Sequence, residues 1–209
     1  MTLPTSYRPV KLVAVDLSGR GLVEAFVFRD YPANRLSVIE RDWALARERA
    51  YQEGLGSGLY LLEHSHWDWR RKEKSIEDGR HMLLALECRD ETQGLMAIQR
   101  SPRHSVLSSG AAVVYVDYVE AAPWNLKASS VAPRYLGVGT ILLAEAVRLS
   151  IETGHEGRVG LHSLPQAEGF YRRCGMNRLG PDSAYYDLTY FEYTGQQAVS
   201  WLAGLEGPV

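Results

Sequence analysis

The chain has 209 residues, 45% hydrophobic and 23% charged, with a formal net charge of -2. That balance predicts a packed core and excludes a general nucleic-acid binder built on basic excess, and no apolar run approaches the roughly 18 residues of a membrane span. The two cysteines, Cys88 and Cys174, form no CxxC, so neither a disulfide scaffold nor a thiolate zinc site is expected.

The first twenty residues carry no signal-peptide core, and a cytoplasmic location is the expectation. VKLVAVDL (10–17) is rich in β-branched residues and predicts a strand. SGRG (18–21) signals a turn, and LVEAFVF (22–28) predicts a second strand. A helix is expected from Ser37. Ser37 and Glu40 have capping-box spacing there, while Ile39, Trp43, Ala46 and Ala50 form an apolar face. On that reading Glu40, Arg41, Arg47 and Glu48 lie off the buried stripe, and Gly54, Gly56 and Gly58 end the helix. Residues 59–79 predict a short segment and a second, more polar helix. Its RRKEK run (70–74) reads as a solvated face. His64 and His66 lack a third ligand in the sequence, so a metal site is not expected. Trp67 and Trp69 serve either as packing groups or as a stacking surface for an acceptor.

Strands are expected over 81–88 and 94–100, joined by a hairpin link at 89–93. AAVVYVDYVE (111–120) is the clearest strand of the chain, and a polar, proline-containing stretch (121–133) follows it. A helix runs from Val138 to about Thr153 and Gly154. Leu143, Ala146 and Val147 make its apolar face, and Glu145, Arg148 and Glu152 its polar one. A strand (158–164), a short helix opened by Pro165 and closed by Gly175 (165–174), a long strand (184–193) and a helix over QQAVSWLAG complete the chain. There is no internal repeat or linker. The sum is a single mixed α/β (α+β) domain over 1–209 with a central sheet.

APRYLGVGTILLAEAVRLS (132–150) sets Arg134, Gly137 and Gly139 directly before a helix. A helix N-terminus presents free N–H groups and partial positive charge, glycine lets backbone approach an anion, and arginine adds a forked cation. The segment is therefore either an ordinary helix-start turn or a cradle for a phosphate-bearing ligand. A Walker A loop is excluded by the lack of a lysine before Thr140, and a dinucleotide fingerprint by Leu142 in place of its third glycine.

Arg134-x-x-Gly137-x-Gly139 resembles the Arg/Gln-x-x-Gly-x-Gly/Ala signature of the GCN5-related N-acetyltransferases (GNAT). EGFYRRCGM (168–176) resembles the same family's later helix, with its aromatic-Tyr pair closing on Gly. The resemblance is clear over about 111–178 and topological over 10–100. It implies a twisted mixed sheet flanked by helices, with residues about 10–80 shaping the acceptor site. It implies acetyl-CoA as co-substrate, its pyrophosphate held by Arg134, Tyr135, Leu136, Gly137, Val138, Gly139 and Thr140. It also allows a homodimer through an exposed final strand. The chain departs from the family pattern in the inserted 121–133 stretch. It departs again at Leu164, which stands where an asparagine often contacts the pantetheine arm; His162 or Gln166 are the candidate replacements.

Acetyl transfer to an amine requires a neutral amine and a protonated leaving thiolate. A lysine-like amine has a pKa near 10.4 and needs a base, whereas a tyrosine near 10 can donate to a thiolate near 8.5. By position in the family motif, Tyr171 is the general acid; the alternative is an amphipathic core tyrosine. Glu120, ending the clearest strand, is the preferred general base, with Asp117 behind it; both also read as solvated carboxylates. Trp124 and Asn125 either line the acceptor pocket or pack the loop. Cys174 is read as a small core residue rather than an acyl carrier. The expected function is transfer of an acetyl group from acetyl-CoA to a small-molecule or peptide amine. The alternative is a non-catalytic CoA-binding or partner-binding module. A toxin acting on aminoacyl-tRNA is disfavoured by the acidic balance.

Overall fold

A computed structural model describes residues 6–16, 19–50, 52, 68–126 and 132–206. His64, His66, Trp67, the three glycines 54, 56 and 58, and residues 127–131 of the inserted stretch lie outside them. The described strands are β1 (Tyr7–Asp16), β2 (Gly19–Phe28), β3 (His81–Cys88), β4 (Glu91–Gln99), β5 (Arg103–His104), β6 (Ala112–Ala121), β7 (Tyr135–Leu136), β8 (Val159–Ser163), β9 (Asn177–Asp182) and β10 (Leu188–Glu192). The α-helices are α1 (Leu36–Ala50), α2 (Glu73–Glu77), α3 (Val138–Glu152), α4 (Glu168–Arg173) and α5 (Gly195–Glu206). The fold is mixed α/β, with the strands in a mixed sheet. The chain divides into two compact units, Met1–Ala97 with Tyr118–Leu142, and Ile98–Asp117 with Leu143–Val209.

In the first unit the strands run β7-β1-β2-β3-β4, followed by the end of β6. β1 and β2 pair continuously from Tyr7↔Phe28 to Asp16↔Gly19, so the ladder absorbs three residues, Gly19, Arg20 and Gly21, of the expected 18–21 turn. The link between β3 and β4 is also shorter than expected. Arg89 and Asp90 both take left-handed backbone, φ 52° and 61°, which is the geometry of a two-residue hairpin turn. Glu91, Thr92 and Gln93 therefore belong to β4, not to a loop.

Helix α1 corrects the capping expectation. A 3-10 turn, Ala33–Arg35, leads straight into Leu36, so Ser37 is already helical and no capping box forms. Ile39 and Trp43 are buried as the periodicity predicts and Ala46 is half-buried; Leu36 and Glu40, outside the expected face, are buried as well, Glu40 to 4% exposure. Leu36, Ile39 and Trp43 join Tyr31, Trp69, Leu83 and Leu95 in one apolar cluster. Burial of each large side chain there contributes about 1.5–3 kcal/mol. The polar helix expected within 59–79 is a 3-10 turn, Trp69–Lys72, followed by the short α2. Asp68 caps it, accepting from the Arg70 N–H at 3.0 Å.

The second unit holds the first part of β6, then β8, β10 and β9, with β5 also against β6. β6 and β8 are parallel, in register from Val114↔Val159 to Val116↔Leu161. The long strand expected over 184–193 is a hairpin instead. A 3-10 turn, Ser183–Tyr185, and two left-handed residues, Tyr186 and Asp187 at φ 56° and 59°, separate β9 from β10. The polar face expected on α3 is open to solvent at Glu152 but not at Glu145. Glu145 is 1% exposed, and Arg148 bridges it at 3.6 Å and pairs with Glu206 of α5.

Two features fix the interior of this unit. Gly160 sits under Tyr190, and a Cβ there would lie 2.2 Å from the tyrosine hydroxyl oxygen. Glu192 is fully buried. It accepts from the Val106 N–H at 2.9 Å, the Leu107 N–H at 3.2 Å, the Tyr190 hydroxyl at 2.9 Å and the Ser105 hydroxyl. That satisfies a carboxylate whose burial would otherwise be costly.

Candidate functional site

The turn before α3 has the properties the sequence suggests. Gly137 takes φ +92°, a backbone that side-chain-bearing residues rarely adopt, and nothing lies within 4 Å of where its Cβ would stand. The Ile141 N–H to Gly137 carbonyl bond, 2.9 Å, is the first across this helix start. The N–H groups of Val138, Gly139 and Thr140 therefore precede the helical ladder and can meet an anion. Tyr135 and Leu136 are not loop residues. They form β7, pairing with Ala14 and Val13 of β1, and the Arg134 carbonyl accepts from the Val15 N–H at 2.9 Å. The turn is thus anchored to an adjoining strand.

Arg134 keeps its guanidinium largely exposed, 3.6 Å from a Glu91 oxygen and 5.1 Å from the centre of the Trp124 ring. The aromatic face orients the cation, and a solvent-exposed carboxylate at that distance holds it weakly.

Trp124 and Asn125 take the packing role. The Trp124 indole donates to Gln93 Oε1 at 2.8 Å, and the Asn125 amide donates to the same oxygen at 3.0 Å. Asn125 Oδ1 in turn accepts from the Tyr135 N–H at 3.0 Å. Gln93, fully buried in β4, thereby fixes the stretch that delivers Arg134. Sequence reasoning missed it because a lone glutamine beside a turn carries no motif. Gly94 completes the support: a Cβ there would lie 2.6 Å from Val138 Cγ1. A glycine in a β-strand against a helix start is the one signal that marked this close approach.

Glu120 also lies in the first unit, buried to 5% exposure. It is no solvated strand end. The Trp69 indole N–H donates to it at 2.7 Å, and Arg47 Nη1 lies 3.7 Å away. Arg47 also pairs with Glu40, and Glu40 Oε2 accepts from the Trp69 backbone N–H at 3.1 Å. The Lys72 ammonium stands over the Tyr118 ring at 4.2 Å and the Trp69 ring at 5.4 Å. Burial pushes the Glu120 carboxyl up to about 7, against the pull of Trp69 and Arg47 and with help from the like charge of Glu40. A carboxyl poised there can accept a proton near neutral pH. Of the two roles open to Trp69, packing and an exposed stacking surface, it takes the packing one: it is fully buried.

The remaining residues belong to the second unit. Tyr171 is 5% exposed and packs on Phe170 and Phe191, with ring centroids 5.1 and 5.6 Å away. Burial raises its pKa well above the ordinary tyrosine value, so it stays protonated at neutral pH. Cys174 is buried, and burial pushes its thiol up to about 11, the opposite of an activated nucleophile. Asp117 accepts from the Gln99 amide at 3.2 Å. His162 has a structural engagement of its own: its Nδ1 lies 2.6 Å from the Tyr115 hydroxyl, its Nε2 3.1 Å from Asp182, and its ring stacks on Tyr185 at 3.9 Å. Burial holds its pKa below the usual value, with Asp182 opposing. Among the described residues no group of three His, Cys, Asp or Glu side chains could hold a metal, and no helix is long and apolar enough to cross a membrane.

No family model and no curated protein matches the chain by sequence. Solved structures match it in fold. RimJ of Mycobacterium smegmatis, in complex with CoA-disulfide, matches with a TM-score of 0.54 at 12% identity, over 96% of this chain and 95% of that one. A GNAT-family acetyltransferase of Listeria monocytogenes matches with a TM-score of 0.53 at 18% identity, over 88% of this chain and 99% of that one. The AtaT toxin bound to the C-terminus of its antitoxin matches at a TM-score of 0.47 and 14% identity, over 71% and 82%. The matches to the Listeria acetyltransferase and to RimJ show that the chain has the GCN5-related N-acetyltransferase fold.

Proposed function

We propose that the protein is an acetyl-CoA-dependent N-acetyltransferase that passes the acetyl group directly to an amine. The observation that carries the reading is the turn at Gly137, whose left-handed backbone and free helix-start N–H groups suit a pyrophosphate beside the exposed Arg134. Glu120 takes the proton from the acceptor amine, directly or through water. The neutral amine attacks the thioester carbonyl, a C–N bond forms and the C–S bond breaks. Tyr171 supplies the proton that leaves with the thiol, and the second proton shed by the attacking nitrogen passes through water to restore the Tyr171 hydroxyl. A base with a pKa near 7 suits such proton removal better than an ordinary carboxylate would. Residues 1–209 act as a single catalytic domain on this reading, with a small-molecule or peptide amine as acceptor.

Thiol release from acetyl-CoA, screened over amines, polyamines, amino acids, aminoglycosides and peptides, tests it. Amine-dependent release that is lost in Glu120→Gln and in Gly137→Val is the expected result. CoA binding without turnover of any amine favours the non-catalytic module.

A further inference from the structure

We infer that Glu40, Arg47 and Trp69 form a positioning clamp that sets the orientation and the charge state of Glu120. This rests on the reading of Glu120 as the base and names the groups that prepare it. The clamp is closed at every corner. Trp69 gives its indole N–H to Glu120 at 2.7 Å and its backbone N–H to Glu40 at 3.1 Å. Arg47 pairs with Glu40 and reaches Glu120 at 3.7 Å. One cation thus serves two buried carboxylates, both 5% exposed or less.

The charges oppose one another by design of the geometry. Arg47 and the Trp69 donor favour the ionised Glu120, and Lys72, over Tyr118 and Trp69, adds a weaker pull in the same direction. Glu40 favours the protonated form, and it does so twice, by its own charge and by occupying Arg47. None of this is needed to hold α1 in place, because Leu36, Ile39 and Trp43 already bury that face.

The test is a direct titration of the full chain, which needs no acceptor. The side-chain carboxyls of glutamate are labelled with carbon-13, and the Glu120 resonance, identified by its loss in Glu120→Gln, is followed against pH. Glu40→Gln should lower the Glu120 midpoint by about one unit and Arg47→Gln should raise it by a similar amount, as expected for charges at this distance. Trp69→Phe should raise it by loss of one donor. Should Arg47→Gln not fold, Trp69→Phe decides, because its predicted shift is upward, whereas a general loosening of the site would rehydrate Glu120 and lower the midpoint. An unmoved midpoint in folded Glu40→Gln overturns the clamp. The acid limb of thiol release read on the same variants separates the two claims. A carboxyl that titrates as predicted while the limb stays fixed leaves the clamp standing and removes Glu120 from the chemistry.

Discussion

The Trp69 indole N–H donates to the Glu120 carboxylate at 2.7 Å, inside a cluster where both residues are 5% exposed or less. A donor of that kind lets a buried carboxylate ionise at all, while burial keeps its pKa high. The result is a carboxyl that titrates near neutral pH.

Stability should follow the same group. The folded-state pKa of Glu120 is raised from 4.5 to about 7, so between those values the folded chain holds a proton that the unfolded chain has lost. Its contribution is fully present below pH 4.5 and is lost as pH rises toward 7. Glu120→Gln should therefore gain on the wild type with rising pH, by on the order of 1–3 kcal/mol across that window. Denaturant melts of both proteins at pH 5 and pH 8 check the sign.

Gly137→Val adds a side chain to a residue at φ +92°. The space around it is open, so the substitution acts through backbone strain of about 1–2 kcal/mol and through the anion's approach rather than through a core clash. CoA affinity measured by calorimetry should drop sharply in the folded variant. Arg134→Ala should cost about 1.5–3 kcal/mol of CoA binding, the range for a hydrogen bond to a charged group.

Gln93→Leu should weaken CoA binding without touching the ligand. It removes the acceptor for both the Trp124 indole and the Asn125 amide, leaving two donors without that partner. A stability loss of about 1–3 kcal/mol is expected. The melting temperature should fall, and the gain in melting temperature on adding CoA should shrink as well.

Tyr171→Phe deletes only a hydroxyl, and the packing on Phe170 and Phe191 should survive. If Tyr171 protonates the thiolate, kcat and kcat/KM should fall together by about 10²–10⁴-fold with little change in acetyl-CoA affinity. Wild-type kcat in the folded variant, where chemistry limits the rate, assigns the proton to another source.

Gly160→Ala should destabilise the second unit by about 1–3 kcal/mol, because its Cβ meets a buried hydroxyl held by Glu192 rather than a flexible chain end. A thermal melt against the wild type measures it. Tyr190→Phe should relieve part of that cost in the double variant.

The sequence made the turn before α3 legible because glycine, arginine and helix periodicity are local signals. The left-handed backbone of Gly137 and the burial of Leu143, Ala146 and Val147 on α3 follow from those signals. Glu120 was legible only by its place at the end of a strand. Its burial was not, since the residues that bury it come from α1 and the Trp69 turn, 80 and 51 positions away, figures given by the separations from Glu40 and Trp69. Glu40 was misread for the same reason. Helical spacing assigns it a polar face, and only the tertiary partner Trp69 gives it a buried one. The β9–β10 hairpin escaped notice because Tyr186 and Asp187 take left-handed backbone without a glycine to announce it.

Glu192 has a kinetic consequence. Its carboxylate gathers Ser105, Val106 and Leu107 from 85 to 87 positions away in the chain. That loop cannot gain its acceptor until β10 is in place, so its ordering comes after the closure of a long chain segment and late in folding. Glu192→Gln should consequently speed unfolding while leaving the refolding rate nearly unchanged, the pattern of a contact absent from the transition state. Stopped-flow chevrons of the two proteins would show the difference on the unfolding arm, and amide exchange would find Val106 and Leu107 opening well below the global free energy.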